Sequence, residues 1–161
     1  MLIHLLSVGR RMPAWVEAGV AEYARRLPPD CALRLLEIEP ARRGRGKASP
    51  AQVSRWQAEE GERLLRAVPA GALVVALDER GRAWSTVELS SQLADWLAGG
   101  RDVALLVGGA DGLAAACLAR AERRWSLSPL TFPHGLVRVI LAEQLYRAWS
   151  ILRGHPYHRG D

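Results

Sequence analysis

The chain has 161 residues, a length typical of a single domain that buries a hydrophobic core without disulfides or metal ions. Hydrophobic residues make up 49% and charged residues 24%, and no apolar run approaches the roughly 20 residues of a membrane-spanning helix. We therefore expect one soluble, cytoplasmic domain over residues 1–161, without a secretory signal or a membrane partner. The net charge of +5 favours a polyanionic partner.

The first half of the chain alternates short apolar runs with longer helical patterns. In chain order these predict a strand over residues 2–9, a helix over 13–27, a strand over 32–39 and a helix from Ser49-Pro50 to Val68. The connecting segment 40–50, PARRGRGKASP, has the proline, glycine and charge content of a loop. Its basic side chains predict contact with RNA phosphates, the alternative being a merely solvated loop: Arg42, Arg43, Arg45 and Lys47.

The second half continues the alternation. It predicts a strand over 72–78, a helix from the Ser85/Glu88 capping box to Gly99-Gly100, a strand over 102–109, a helix capped by Asp111 and reaching Arg124, a strand over 125–131 and a helix over 134–154. Strands 72–78 and 102–109 are continuously apolar, as is typical of parallel strands buried on both faces. The order of elements predicts an α/β fold: a mostly parallel sheet with helices on both faces.

The last predicted helix is apolar almost all round. The sheet of so small a protein could cover only one side of it, so the pattern favours a homodimer in which a second subunit covers the other side. The apolar positions are Leu136, Val137, Val139, Ile140, Leu141, Leu145, Tyr146, Trp149, Ile151 and Leu152.

A ligand site is expected where the parallel strands end, because such sheets bind ligands beyond their carboxyl edge. Three segments end there: LVVALDERG, LLVGGADG and SLSPLTFPHG. Gly108, Gly109 and Gly112 would let the backbone approach a ligand closely, although their spacing does not fit a dinucleotide-binding GxGxxG motif. A tight structural turn is the alternative interpretation of these glycines.

The histidines and cysteines differ in what they indicate. Cys31 and Cys117 are isolated and predict small core residues, and no Cys, His, Asp or Glu cluster has the spacing of a metal site. His4, in a strand, is interpreted as structural or surface-exposed. His134 lies in the proline loop, where a functional role and a loop hydrogen bond are both open. The tail groups an aromatic ring, an imidazole and a guanidinium at positions 157–159.

Three segments together resemble one known family. GGADG (108–112), WSLSPLTFPHGLVRV (125–139) and LYRAWSILRGHPYHR (145–159) are similar to the ribosomal RNA large-subunit methyltransferase H family, a small branch of the SPOUT methyltransferases. The similarity extends over the whole chain. One departure is Ala110-Asp111, where the family often has Pro-Glu, which keeps an acidic residue at that place.

This resemblance implies a fold and a cofactor site. SPOUT enzymes contain a deep C-terminal trefoil knot and bind S-adenosylmethionine in a bent shape against three knotted loops. In this sequence the corresponding residues are Leu77, Asp78, Gly108, Gly109, Ser128, Pro129, Leu130, Thr131, Phe132 and Pro133. The loop SPLTFP would then form a backbone wall around the adenine.

The resemblance also implies a reaction. Family members methylate N3 of a pseudouridine in 23S rRNA on the assembled ribosome. The proton acceptor could be His158 or His134, Arg147 or Arg159 could stabilise the developing imide anion, and Tyr157 would lie beside the target base. Two alternatives remain open: another α/β enzyme that binds a nucleotide at Gly108–Gly112, and a noncatalytic basic RNA-binding module.

Overall fold

The structure, a computed structural model, describes residues 1–159 and contains one parallel sheet flanked by helices. The strands are β1 (Leu2–Val8), β2 (Ala32–Ile38), β3 (Leu73–Ala83), β4 (Val103–Val107) and β5 (Arg123–Ser126), and the helices are α1 (Ala14–Ala24), α2 (Pro50–Ala67), α3 (Thr86–Gly99), α4 (Ala115–Arg120) and α5 (His134–Leu152). The strand order is β2-β1-β4-β3-β5, all pairs being parallel. The predicted α/β fold with a parallel sheet is confirmed.

Helices cover both faces of this sheet. In β4 the side chains of Val103, Leu105 and Val107 pack in a buried cluster with α1, α3 and α5, whereas Ala104 and Leu106 pack in a second cluster with α2 and α4. Because successive side chains of a strand point to opposite faces, this alternation assigns the helices to the two layers. All five β4 side chains are buried, as the continuous apolar run predicts.

The capping signals predicted for α2 and α3 are confirmed. Ser49 caps α2 and exchanges hydrogen bonds with Gln52 in a capping box, and Pro50 is the first helical residue. Ser85 and Glu88 form the same box at α3. The left-handed backbone of Gly100, with φ of 68°, ends α3. These signals depend on residues within one helical turn, so the sequence suffices to predict them.

The residues interpreted as structural are confirmed in that role. Cys31 and Cys117 are buried in the two clusters, and burial raises the pKa of the Cys31 thiol to about 11, with a further contribution from Asp30. His4 Nε2 lies 3.1 Å from a carboxylate oxygen of Asp102, at the start of β4. That contact joins β1 to the segment before β4.

The prediction that Asp111 caps a helix reaching Arg124 is wrong. Helix α4 begins after Ala114, which offers no side-chain cap, and it ends at Arg120. The carboxylate of Asp111 instead lies 2.6 Å from the guanidinium of Arg43, in the loop before α2. The helix is also shortened because Arg123 and Arg124 pair with β3 as the first residues of β5.

The predicted last strand, 125–131, is also wrong in its bounds, since β5 ends at Ser126. Beyond it, Ser128 Oγ accepts the N–H of Leu130 at 3.0 Å in a local turn. Pro129 and Pro133 have no N–H to donate to a neighbouring strand, so residues 127–133 form a loop.

Strand β3 is longer than the predicted 72–78, and it is irregular. Leu77 and Arg82 both pair with Trp125 of β5, so the residues between them bulge out of the ladder. Gly81 lies so close to β5 that a Cβ there would be 2.7 Å from the backbone N of Trp125. The bulge brings Asp78, Glu79 and Arg80 beyond the sheet edge.

Helix α5 lies between α1 and α3, so the protein's own helices cover more of it than the sequence argument assumed. Several apolar side chains in its first two turns nevertheless remain only partly buried: Leu136, Val137, Val139 and Ile140. The same helix carries Arg138, which is 0% exposed. Its guanidinium donates to Glu37 Oε2 at 2.7 Å, to Ser7 Oγ at 3.1 Å and to the carbonyl of Gly9 at 2.8 Å.

Arg138 therefore joins α5 to β1 and β2, and replacing it should destabilise the fold. We expect Arg138→Met to lower the free energy of unfolding by about 3 kcal/mol, because the buried Ser7 hydroxyl and the Gly9 carbonyl lose their donor and the partly buried Glu37 loses its ion pair. Urea denaturation followed by circular dichroism measures this. The matched control is Arg153→Met, whose exposed pair with Asp30 should contribute less than about 1 kcal/mol. Equal shifts in the two variants would contradict the structural role of Arg138.

Candidate functional site

A cavity of about 700 Å³ lies where β3, β4 and β5 reach their carboxyl ends. Leu77 from β3, Val107 from β4 and Ser126 from β5 contribute to its wall. The loops that follow these strands complete it. This is the edge at which open parallel sheets bind ligands, because the strand ends leave a crevice there.

Eight of the ten residues predicted from the resemblance as cofactor-binding line this cavity, together with His134. The eight are Leu77, Asp78, Gly108, Gly109, Ser128, Leu130, Thr131 and Phe132. Pro129 and Pro133 lie in the same loop but do not form part of the lining. Loops from three separate strands thus converge on one space.

The turn that follows β4 is held in a compact shape. The N–H of Gly112 donates to the carbonyl of Gly109 at 3.0 Å, and a Cβ on Gly108 would lie 2.5 Å from the carbonyl carbon of Gly112. Any side chain at position 108 would therefore force this turn open. The turn 108–113 is called the glycine turn below.

Helix α2, which lies with α4 on one face of the sheet, supports the glycine turn. Gln57 Nε2 donates to the carbonyl of Asp111 at 2.8 Å and to that of Leu113 at 3.1 Å, and Gln57 itself lines the cavity. Sequence reasoning missed Gln57. The residue is about 50 positions away from the turn in sequence, and only its place on the buried side of an amphipathic helix could have indicated it.

Charged side chains of both signs surround the cavity. Asp78 and Asp111 bring carboxylates to its lining, and Arg80 and Arg124 bring guanidinium groups. Asp78 Oδ1 accepts the backbone N–H of Arg80 at 3.3 Å, which fixes the bulge of β3. Leu130, 69% exposed, is an apolar side chain held at the opening. The carboxylates suit a ligand that carries a cationic group, and the guanidinium groups suit an anionic partner bound beside that ligand.

The tail residues form a second cluster, on the far part of α5. Beyond the predicted helix 134–154, Pro156–Arg159 forms a turn of 3₁₀ helix that packs on α5. Tyr157 Oη donates to Glu143 Oε1 at 3.1 Å, and Arg147 Nε donates to the same oxygen at 2.8 Å. The Arg147 guanidinium also lies 4.8 Å from the centre of the Tyr157 ring.

Glu143 organises this tail cluster, and sequence reasoning missed it. Its spacing of four residues from Arg147 on one helix face was the available signal. Burial, followed by the neighbouring Tyr23 and Glu143, raises the pKa of Tyr157 well above its usual value. Tyr157 therefore stays protonated and acts as a hydrogen-bond donor. His158 is half-buried and Arg159 is exposed beside it.

The cavity and the tail cluster do not meet within one chain. His134 lines the cavity from the first turn of α5, whereas Arg147 lies 13 residues further along, which is roughly 20 Å at 1.5 Å per residue. Arg147, Tyr157, His158 and Arg159 are absent from the cavity lining. The structure thus separates the predicted cofactor residues from four of the five predicted catalytic residues.

Comparison with known proteins decides the family. A family model described as "Predicted SPOUT methyltransferase" matches residues 1–158. The ribosomal RNA large subunit methyltransferase H of Thioalkalivibrio sulfidiphilus is 63% identical over 99% of both chains, and that of Alkalilimnicola ehrlichii is 61% identical with the same coverage. The chain belongs to the ribosomal RNA large subunit methyltransferase H family.

The chain shares its fold with more distant proteins of known structure. A probable methylase family protein from Haemophilus influenzae Rd KW20 superposes with a TM-score of 0.51 at 12% identity, covering 95% of this chain and 66% of that one. The resemblance found in the sequence motifs is confirmed as family membership. Asp111 lies in the glycine turn, so this family member keeps an acidic residue there.

None of the helices described within residues 1–159 is long and apolar enough to cross a bilayer. Within the same residues, no three His, Cys, Asp or Glu side chains converge as metal ligands would.

Proposed function

We propose that the chain is an S-adenosylmethionine-dependent methyltransferase that modifies N3 of a pseudouridine in large-subunit (23S) rRNA, acting on the assembled ribosome in the cytoplasm. The observation that carries this proposal is the identity of 61–63% with two ribosomal RNA large subunit methyltransferases H over 99% of every chain compared. The cavity and the tail cluster supply the chemistry described next.

The cavity residues fit S-adenosylmethionine as the cofactor. A volume of about 700 Å³ lies within the range of small-molecule sites, about 300–1,000 Å³. Backbone groups at 108–109 and 128–133 can hydrogen-bond an adenine, with Leu77 and Phe132 as apolar cover. The carboxylate of Asp78 suits its positively charged groups. When bound, it supplies a methyl group on a sulfonium that becomes a neutral thioether as the methyl leaves.

The chain's own residues must align the attacking nitrogen and remove its proton. As the bond between N3 and the methyl carbon forms, the imide proton of N3 passes to an imidazole. His134 is available in the cavity wall, and His158 in the tail cluster. Arg147 and Arg159 stabilise the negative charge that develops on the base. Tyr157, held protonated, donates its one hydroxyl proton to Glu143 and so fixes its ring against the Arg147 guanidinium.

A homodimer resolves the separation between the two clusters. The first two turns of α5 keep partly exposed apolar side chains beside the cavity, and Trp15 on the neighbouring helix α1 is 58% exposed. Two α5 helices packed antiparallel about a two-fold axis would place the tail of one protomer near the cavity of its partner. We therefore assign each complete active site to a cavity from one chain and a tail from the other.

We also propose that residues of the cavity loops lie in a trefoil knot. Its support is SPOUT membership, together with the position of β5, which follows β4 but lies beyond β3 in the sheet. Pulling the chain by its two termini in an optical trap measures this directly. A knotted chain reaches a shorter fully extended length than 161 residues allow, whereas the full contour length would contradict the knot.

The experiment that tests the function uses ribosomes from a strain that lacks the gene. Purified protein with S-adenosylmethionine should add one methyl group to N3 of one pseudouridine in the large-subunit rRNA, mapped by mass spectrometry of nuclease fragments. Binding of the ribosomes without methylation would favour a noncatalytic RNA-binding module. Failure to bind S-adenosylmethionine, with binding of another nucleotide, would favour a different α/β enzyme.

A further inference from the structure

One basic residue of the loop before α2 differs from its neighbours. Arg43 lies 2.6 Å from Asp111 of the glycine turn, and its guanidinium lies 4.9 Å from the centre of the Trp56 ring on α2. Arg42, Arg45 and Lys47 are exposed and make no ion pair within residues 1–159. Arg43 therefore packs against the protein although 34% of its side chain is exposed, whereas the other three make no such contact within the described part of the chain.

A buried carboxylate joins the same two segments. Glu60 of α2 is 2% exposed, and its Oε2 accepts the N–H of Ala41 at 3.0 Å. This oxygen is also 3.8 Å from Arg43. The other oxygen, Oε1, lies against the glycine turn: a Cβ on Gly109 would be 2.9 Å from it. Glu60 thus touches the beginning of the basic loop on one side and the cavity wall on the other.

We propose that Arg43 and Glu60 are positioning residues for methyl transfer, which hold the basic loop 40–48 against the glycine turn so that RNA bound by the loop is held in register with the cavity. The inference rests on the proposed function for its substrate. It divides the basic residues of the loop into two roles. Arg42, Arg45 and Lys47 bind RNA phosphate, and Arg43 fixes the loop that carries them.

The physical reason is that the loop has few other contacts of its own. Between β2 and α2 it contains Gly44 and Gly46, around which a Cβ would meet nothing within 4 Å. Such a segment would lose conformational entropy, at a cost in free energy, when it holds phosphates in one position. The ion pair with Asp111 and the hydrogen bond from Ala41 to Glu60 restrict it before RNA arrives. Preorganisation of this kind lowers the entropic cost of binding RNA, and it also aligns the bound substrate with the cavity.

Two variants that remove the same charge from the same loop separate the two roles. Arg45→Gln should raise KM for ribosomes and reduce the slope of log affinity against log salt by about 0.7–0.9, because one phosphate contact is lost. Arg43→Gln should leave that slope near its wild-type value and lower kcat by about tenfold or more, since a displacement of about 1 Å can cost a hundredfold. Arg43→Lys, which keeps the charge near Asp111, should recover part of the rate.

The position of the loop also has a readout that does not need catalysis. Hydrogen exchange at the Ala41 amide should be slow in the wild type and faster in Glu60→Ala and Arg43→Gln, but unchanged in Arg45→Gln. Glu60→Gln, which keeps an acceptor for Ala41, should retain the protection, and it serves as the conservative variant if Glu60→Ala fails to fold. These measurements use the protein alone, so they remain valid if the rRNA proves not to be its substrate.

The proposal would be overturned by either of two results. One is an Arg43→Gln variant that behaves like Arg45→Gln, with a reduced salt slope and a raised KM but wild-type kcat, since Arg43 would then bind phosphate itself. The other is an Ala41 amide that exchanges as fast in the wild type as in Arg43→Gln. Absence of methyl transfer by the wild-type protein would instead contradict the proposed function, while the exchange data would still decide whether Arg43 and Glu60 hold the loop.

Discussion

Removing residues 155–161 should lower the single-turnover rate of methyl transfer on ribosomes by about a thousandfold, because general acid–base catalysis and alignment of the base are both lost. Affinity for S-adenosylmethionine should change little, since none of the described residues 138–159 lines the cavity. Rapid quench with a radiolabelled methyl group measures the rate, and calorimetry measures the affinity. A truncated protein that transfers methyl at the wild-type rate would contradict the role of the tail.

Point variants then assign the roles within the tail. His158→Gln should reduce the single-turnover rate strongly if His158 accepts the imide proton, and His134→Gln should do so if His134 accepts it. Arg159→Gln tests whether the guanidinium of Arg159 contributes to the single-turnover rate. Tyr157→Phe removes the hydroxyl that donates to Glu143 but keeps the ring in contact with that of Tyr146. Tyr157→Phe is the control for loss of packing. If this variant folds like the wild type, a lower rate reflects the missing hydroxyl and not a disturbed fold.

Replacing Thr131 by tryptophan should abolish cofactor binding. Thr131 is exposed, lines the cavity and lies in the loop between β5 and α5, so a bulky ring there would occupy the space of the ligand without disturbing the core. We expect the affinity for S-adenosylmethionine to fall at least about a thousandfold, equivalent to about 4.1 kcal/mol, and methyl transfer to be lost with it. Calorimetry measures the affinity, with thermal unfolding as the check on folding.

The matched control is Thr131→Ser, which keeps the hydroxyl and a small side chain and should bind the cofactor like the wild type. A folded Thr131→Trp protein with unchanged affinity would remove the loop 127–133 from the binding site. The glycines of the cavity are less suitable for this test. A Cβ at Gly109 would meet Glu60 and Val8 at 2.9 and 3.1 Å, so a bulky residue there would disturb the fold as well as the cavity.

Sequence patterns were sufficient where the determining contacts are local or depend on burial alone. The capping residues Ser49 and Ser85 act within one turn of their helices, and the apolar run of β4 reflects burial on both faces. Because the strands are parallel, their carboxyl ends meet at one edge of the sheet, and the cavity was expected at that edge. The ligand, the knot and the reaction came from family resemblance and could not be obtained from periodicity.

The errors came from contacts between distant segments. Asp111 stands before a helix and has the chemistry of an N-cap, but Arg43, 68 positions earlier, takes its carboxylate. The end of β5 depends on how its neighbour β3 bulges between Leu77 and Arg82. The distance between the tail and the cavity depends on where α5 lies relative to the sheet. No pattern along the chain encodes these pairings.

An active site built from two chains is tested most directly by complementation between two inactive proteins. Thr131→Trp and the chain truncated after Gly154 are mixed and allowed to exchange subunits. Each mixed dimer would contain one complete site, made of the cavity of the truncated chain and the tail of the Thr131→Trp chain. Because half of the dimers in an equal mixture are mixed, methyl transfer to N3 of the rRNA pseudouridine should return to about a quarter of the wild-type rate. A mixture that forms mixed dimers and stays inactive would contradict an active site built from two chains.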